Sequence, residues 1–298
     1  MRAETPYQMT LFPEVAPQSD VPSNSVINVA SVPQRSPFRY PGGKTWLVPT
    51  ARKWFKQADE SSELIEPFAG GGIIALTAVA EHFFQHVTMV ELDAEIAAAW
   101  QTILSEHDYA WLTDKIEHFF VTPQSIDEAI EMSSIGTKEL GFATIVRNRT
   151  NHGGILAKGS GKIKTGENGK GLASRWYPST LIRRIKEIHL LRDKISFIHG
   201  DAFITMEQYK DHPDTFFFID PPYTIAGKRL YKHYNVDHQR IFELASQMKG
   251  HFLLTYDDTE EIRHYARSFG LPYQTIPMQT THLITKEELL ISDNFDWL

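Results

Sequence analysis

Five short apolar runs in this chain each end at or beside a carboxylate, and that recurrence constrains the fold more than any other feature. Leu64-Ile65 runs into Glu66, and His86–Val90 into Glu91-Leu92-Asp93. Ile195–Ile198 leads to His199-Gly200-Asp201, Thr215–Ile219 to Asp220, and His251–Tyr256 to Asp257-Asp258. Runs of this length, separated by longer stretches with helical periodicity, predict parallel βαβ units. The run Phe216-Phe217-Phe218-Ile219 is apolar at consecutive positions, as expected of a strand covered on both faces. In an open α/β sheet the ligand crevice lies at the carboxyl ends of the strands. Five acidic strand ends therefore converge on one site. The predicted fold is α/β, with a doubly wound parallel sheet. After a helix at Thr259–Phe269, residues 272–292 read as strands forming an antiparallel edge.

The rhythm stops between Ala94 and Lys194. Ala94–Ser105, Ala110–Phe119, Ile126–Met132, Lys138–Arg147 and Pro178–Lys194 read as helices, an insertion in the sheet. Between the last two lies 153–171, with seven glycines and Lys158, Lys162, Lys164 and Lys170. That composition predicts a mobile basic loop. The expected organisation is a tail over residues 1–36, a catalytic domain from 37–93 and 195–298, and a helical insertion over 94–194.

Charge follows the same division. The whole chain carries 30 Lys+Arg against 37 Asp+Glu, a formal −7 that argues against a nucleic-acid partner if taken as a total. Charge acts locally, however. The stretch from Arg147 to Lys194 is strongly basic and the remainder is more acidic than the total shows, which suggests a phosphate-bearing partner. A solvated helix face plus a loop is the bland alternative. The chain has no cysteine, which leaves no disulfide, thiolate metal site or cysteine nucleophile. The 13 histidines show no metal-ligand spacing, so no metal is expected. No apolar stretch is long enough for a membrane span, and the N-terminus has no signal-peptide core. A soluble cytoplasmic protein is the expectation.

Four motifs carry the chemistry. Glu66-Pro67-Phe68-Ala69-Gly70-Gly71-Gly72 sits between a strand and the helix Ile73–Glu81, where glycines admit a close ligand and the helix N-terminus favours anionic groups. Its spacing is not the Gly-x-Gly-x-x-Gly of dinucleotide enzymes, so a nicotinamide dehydrogenase is disfavoured. Asp93, at the next strand end, suits a ribose diol, or simply caps the following helix. Asp220-Pro221-Pro222-Tyr223 stiffens a strand end with two prolines. It offers one carboxylate, the Pro221 carbonyl and an aromatic ring to a planar amino group. Phe38-Arg39-Tyr40-Pro41-Gly42-Gly43-Lys44 suggests an anion cradle without P-loop spacing.

In this order the four motifs resemble the alpha-class, Dam-like DNA adenine-N6 methyltransferases. That family runs from an aromatic-x-Gly-Gly-Lys motif through Glu-Pro-Phe-x-Gly and an acidic second strand to a target-recognition insertion and Asp-Pro-Pro-Tyr. The likeness spans roughly Pro37 to Asp258. It implies a Rossmann-like sheet, S-adenosylmethionine as donor, adenine N6 in double-stranded DNA as target, and base flipping. By motif match, Tyr40, Gly42, Gly43 and Lys44 line the donor site, with Glu66, Pro67, Phe68, Ala69 and Gly70 at its methionine portion. Asp93 is matched to the ribose, and Asp201 and Ala202 to the donor adenine. Asp220 lies between donor and target, with Pro221, Pro222 and Tyr223 beside it. Arg147, Asn148, Arg149, Asn151, Lys158, Lys162 and Lys164 are the implied DNA contacts, although Asn148-Arg149 and the following glycines match the family's Asn-Arg-x-x-x-x-Gly pattern only loosely. Pro41 stands where some members have Ala.

The alternatives are a cytosine-N4 methyltransferase, whose members usually carry Ser at the place of Asp220, and a non-catalytic DNA-binding accessory factor. The second draws on Gln8-Met9-Thr10-Leu11-Phe12, which resembles the peptide that docks bacterial proteins on the replication sliding clamp. Either way the expected location is the bacterial cytoplasm or nucleoid, alone or paired with a restriction enzyme.

Overall fold

The computed structural model describes residues 32–39, 42–157, 159–166, 169–223, 233, 235–279 and 285–298. The clamp-like segment Gln8–Phe12, Tyr40 and Lys158 lie outside the described residues, as does the expected tail up to residue 31. Seven strands form one sheet: β1 (Glu63–Glu66), β2 (His86–Glu91), β3 (Ile195–His199), β4 (Thr215–Ile219), β5 (His251–Asp257), β6 (Tyr273–Gln279) and β7 (Thr285–Ser292), in the order β3-β2-β1-β4-β5-β7-β6. The first five are parallel. β7 runs antiparallel between β5 and β6. The antiparallel pair thus closes one end of the sheet, and the later strand lies inside the earlier one.

Strand order reverses between β1 and β4, so the chain's path opens a crevice above the ends of those two strands. Glu66 and Asp220 stand there. All five residues of β4 are buried. Period-two alternation sends Phe216 and Phe218 into the apolar layer on one face and Phe217 and Ile219 into the other. The first layer holds α1 (Val48–Phe55) and α2 (Ile73–Ala80). The second holds α8 (Ala202–Tyr209), α9 (His238–Gln247) and α10 (Glu260–Ser268).

The inserted helices are α3 (Ala94–Leu104), α4 (Asp108–Glu117), α5 (Pro123–Met132), α6 (Thr137–Thr150) and α7 (Pro178–Leu190). They share the core of the sheet. Trp100 and Ile103 of α3, Phe142 and Ile145 of α6 and Ile185 of α7 belong to the same buried layer as Leu64 and Val79. The core therefore does not divide at 93/94. α3 is a crossover helix on the sheet, and the rest pack outward from it. Gly141 permits the closest approach, because a Cβ there would sit 2.8 Å from the Ala98 carbonyl oxygen of α3.

The basic loop differs from its compositional reading. Its described part folds back on the end of α6. Ile163 N–H donates to the Thr150 carbonyl at 2.8 Å and His152 N–H to that of Gly161 at 3.0 Å. The Asn151 amide donates to the Ile155 carbonyl and Ser160 Oγ. Leu156 and Ile163 are buried. Two apolar anchors among seven glycines are enough to tie such a segment down, and composition does not register them.

Candidate active site

At the end of β1 the Glu66 carboxylate turns back and accepts the Ala75 N–H at 2.9 Å. It thereby satisfies a donor that the first turn of α2 would otherwise leave unpaired. Burial pushes its carboxyl from an ordinary 4.5 up to about 8, with Asp220 adding to the rise. Between them the glycine turn is held on three sides. Ala69 N–H donates to the Val90 carbonyl, Gly70 N–H to Glu91 Oε2, and Trp100 Nε1 to the Gly70 carbonyl at 2.9 Å. Glu91 also accepts the Asp93 N–H at 2.8 Å, and burial pushes its carboxyl up to about 7. Gly72 closes the turn with φ at 61°, and a Cβ there would meet Met89 Cε at 2.5 Å. Gly72→Ala will lower stability by at least the left-handed backbone cost of about 1–2 kcal/mol. Thermal unfolding of the purified variant checks this, and an unchanged melting temperature would remove the argument.

At the end of β4, Asp220 Oδ1 accepts the Thr255 hydroxyl and the Lys44 ammonium, both at 2.9 Å. Lys44 is 3% exposed. It also donates to the Gly42 carbonyl, lies 3.9 Å from Glu288 Oε2 and stands over the Tyr223 ring. Tyr223 gives its hydroxyl to Glu288 at 2.8 Å. Burial and the neighbouring acids hold the Tyr223 phenol well above its usual range, so it stays a donor. Burial also raises the Glu288 carboxyl, and Lys44 opposes that rise.

These two corners open on one cleft of about 400 Å³, in the range of small-molecule sites. It gathers most of the sequence candidates: Gly43, Lys44, Glu66 to Gly70, Asp93, Asp201, Ala202, Asp220 and Pro222. Asp93 and Asp201 also cap α3 and α8, accepting the N–H of Glu95 and of Phe203. The cap and the cleft positions therefore coincide. Gly42 supports Lys44 through its carbonyl. Tyr223 is turned toward Glu288, behind the cleft wall that Pro222 provides.

The residues offered to DNA are less accessible than the sequence suggested. Asn148 is buried, pairing with both the N–H and the carbonyl of Arg39 and with the Gly154 carbonyl. Arg149 is buried and donates to the Pro37 carbonyl. Asn151 is buried and ties the loop. Reading base edges would require these internal bonds to break, so they act in the fold as brackets between α6, the loop and the chain before Lys44. Arg147 pairs with Glu95, and Lys162 with Asp127. Lys164 is exposed.

Thr255, Glu91 and Glu288 were not among the sequence candidates. Glu91 sits in the quoted Glu-Leu-Asp triplet. Glu288 is the acid entering the buried run Leu289-Leu290-Ile291, directly opposite Asp257 across β5 and β7. A charge inside an apolar strand pattern was the available signal.

The model of the D12 class N6 adenine-specific DNA methyltransferase family matches residues 143–278. This chain is a methyltransferase. The matched stretch holds the end of α6, the loop, Asp201 and the whole Asp220–Tyr223 corner, while the glycine motifs at 42–44 and 66–72 precede it. It covers just under half of the chain. No curated protein matches the sequence. Among solved structures, the chain is similar to a precorrin-6y C5,15-methyltransferase from Geobacter metallireducens, with 10% identity, 82% of this chain and 84% of that one covered, and a TM-score of 0.34. It is likewise similar to the rRNA methyltransferase aviRa from Streptomyces viridochromogenes, at 15% identity, 83% and 84% coverage and a TM-score of 0.34. A third is TrmK from M. capricolum in complex with S-adenosylhomocysteine, at 7% identity, 83% and 68% coverage and a TM-score of 0.36.

Among the described residues no three His, Asp or Glu gather as a metal site, and no helix is long and apolar enough to cross a membrane.

Proposed function

We propose that the enzyme moves the methyl group of S-adenosylmethionine to the N6 amino nitrogen of adenine at a specific site in duplex DNA. The observation that carries this reading is the meeting of Asp220 and the glycine turn in one cleft, at the point where strand order reverses. The matched family supplies the base and the nucleic acid.

The donor's chemistry fits the residues present. Its sulfonium and ammonium are cationic, and Glu66, Glu91, Asp93 and Asp220 make the cleft acidic while Phe68 and Ile96 give it apolar walls. Glu66 and Glu91, held partly protonated by burial, would ionise fully beside a cation. Glu66 through Gly70 would hold the methionine portion, Asp93 the ribose, and Asp201 with Ala202 the adenine ring. When bound, the donor supplies an electrophilic methyl group.

The remaining work belongs to the protein. The target base leaves the duplex stack at a cost of a few kcal/mol. Its amino group meets Asp220 and the Pro221 carbonyl, which accept the two N–H hydrogens. Thr255 and Lys44 both bond Oδ1 and so fix the carboxylate's rotation. As the amino nitrogen turns tetrahedral and takes the methyl group from sulfur, Asp220 stabilises its positive charge without reorganising, and one of the two amino protons then leaves through the Asp220 carboxylate. Tyr223, fixed by Glu288, presents its ring to Lys44 instead of rotating freely. Retention of label from methyl-labelled donor on duplex DNA, compared with RNA and with buffer alone, tests the reading. Label on duplex DNA alone is expected, and label on RNA alone would replace the proposed substrate. A DNA substrate suits a bacterial cytoplasmic or nucleoid enzyme.

A further inference from the structure

A second cavity, of about 340 Å³, adjoins the methyl-transfer cleft and shares Gly43, Gly71 and Ile73 with it. Four arginines line it from separate parts of the chain: Arg39 before the glycine-lysine motif, Arg149 in α6, Arg175 before α7 and Arg184 in α7. Among the described residues no Asp or Glu lines it. Arg149 is 8% exposed, and its Nε has no hydrogen-bond partner. Arg184 is half-buried and donates Nη1 to the Ser36 carbonyl at 3.0 Å, and its Nε is likewise buried without a partner. The guanidinium groups act on one another. Burial first, and then Arg184, Arg39 and Arg175, press the Arg149 pKa down to about 10. Thr180 and Leu181 place the first turn of α7 on the wall, and the N-cap residue Tyr177 makes no side-chain cap bond. The positive end of that helix dipole therefore faces the same space.

Like charges gathered under partial burial oppose folding. Guanidinium forks match the oxygens of a phosphodiester two at a time. The neighbouring cleft is acidic and would repel such a group, so the cationic donor and an anionic phosphodiester suit separate cavities. We propose that the arginine pocket holds a backbone phosphate of the DNA strand whose base enters the cleft. This rests on the DNA reading above and adds its anchoring point. It also gives Arg149 a task compatible with its burial, since a phosphate can reach the pocket while a base edge cannot reach the side chain.

The same oxyanion chemistry could come from the donor's carboxylate, and the test separates the two. Duplex binding is followed by fluorescence anisotropy over a range of salt concentrations, and donor binding by calorimetry. Arg184→Gln is expected to weaken duplex binding about tenfold and to flatten the dependence of log K on log salt by about one unit, the contribution of one phosphate contact. Arg184→Lys is expected to restore the slope but not the full affinity, because it keeps the charge and loses the fork. Donor affinity stays at the wild-type value in both. An unchanged slope in Arg184→Gln overturns the proposal. So does a loss of donor affinity with duplex binding intact, which would put the donor's carboxylate in the pocket. Should the glutamine variant fail to fold, the lysine variant carries the test: wild-type slope with lowered affinity supports the pocket, and wild-type affinity overturns it. A wild-type chain that shows no salt-dependent duplex binding overturns the DNA reading itself, a result distinct from a slope that the variants leave unchanged.

Discussion

Replacing Asp220 by asparagine will lower methyl transfer by about 10²–10³-fold while the chain still folds and still binds the donor. The substitution keeps the side chain's size, its bond from Thr255 and an oxygen for Lys44, while removing the charge that faces both Lys44 and the reacting nitrogen. Lys44 retains the Gly42 carbonyl and Glu288 as neighbours. Alanine is the less informative change. It would strip a 3%-exposed ammonium of its 2.9 Å partner, and breaking a buried pair costs about 3–5 kcal/mol, so lost activity would be confounded with lost fold. Single-turnover transfer from labelled donor, with donor affinity measured beside it, reads the effect. Wild-type turnover in Asp220→Asn would remove Asp220 from the reaction.

The second large effect is on stability. In the folded chain burial raises the Glu66 carboxyl from 4.5 to about 8. Below pH 4.5 the carboxyl is protonated in both folded and unfolded chains and contributes nothing to their difference. As pH rises from there the unfolded chain ionises first and is favoured, so stability falls until the folded group also ionises near pH 8. The full loss corresponds to about 5 kcal/mol. Glu66→Gln removes this loss. The variant will match the wild type near pH 4.5 and exceed it by several kcal/mol at pH 8 and above, read by denaturant unfolding at each pH. Glu91, raised to about 7, leaves the variant a residual slope of the same sign. Parallel pH profiles for variant and wild type would mean that the Glu66 carboxyl ionises freely in the folded chain. The same rise predicts that a cationic donor releases protons on binding near neutral pH, because its charge pulls the Glu66 and Glu91 carboxyls back down.

The sheet was legible because its signal is local and repeated. Each parallel strand is a short apolar run with a carboxylate at its end, and the observed strands differ from those runs by a residue or two at the ends. The order of β6 and β7 was not legible, since either of two adjacent edge strands can pair with β5 without changing the sequence pattern. Nor was the packing of α3. Its alanine-rich stretch fits an insertion helix or a crossover helix equally, and only the burial of Trp100 against Phe38 and Gly70 decides between them. At the site, motif order pointed to Asp220, Glu66 and Lys44 because each sits in a turn of unusual composition. Thr255 and Glu288 reach Asp220 and Tyr223 from strands that sequence places far away, so no spacing rule finds them. Arg149 shows a limit of another kind: its place in a basic segment offers it to DNA, but composition does not show that it is buried, with its guanidinium donating to the Pro37 carbonyl.

Methyl transfer to the amino nitrogen of adenine in duplex DNA leaves a modified nucleoside as its product. Incubating the purified chain with S-adenosylmethionine and duplex DNA, then digesting the DNA to nucleosides and separating them by mass spectrometry, tests it most directly. N6-methyladenine is expected from the wild type and in greatly reduced amount from Asp220→Asn. N4-methylcytosine in its place, or N6-methyladenine formed equally well without the Asp220 carboxylate, would contradict it.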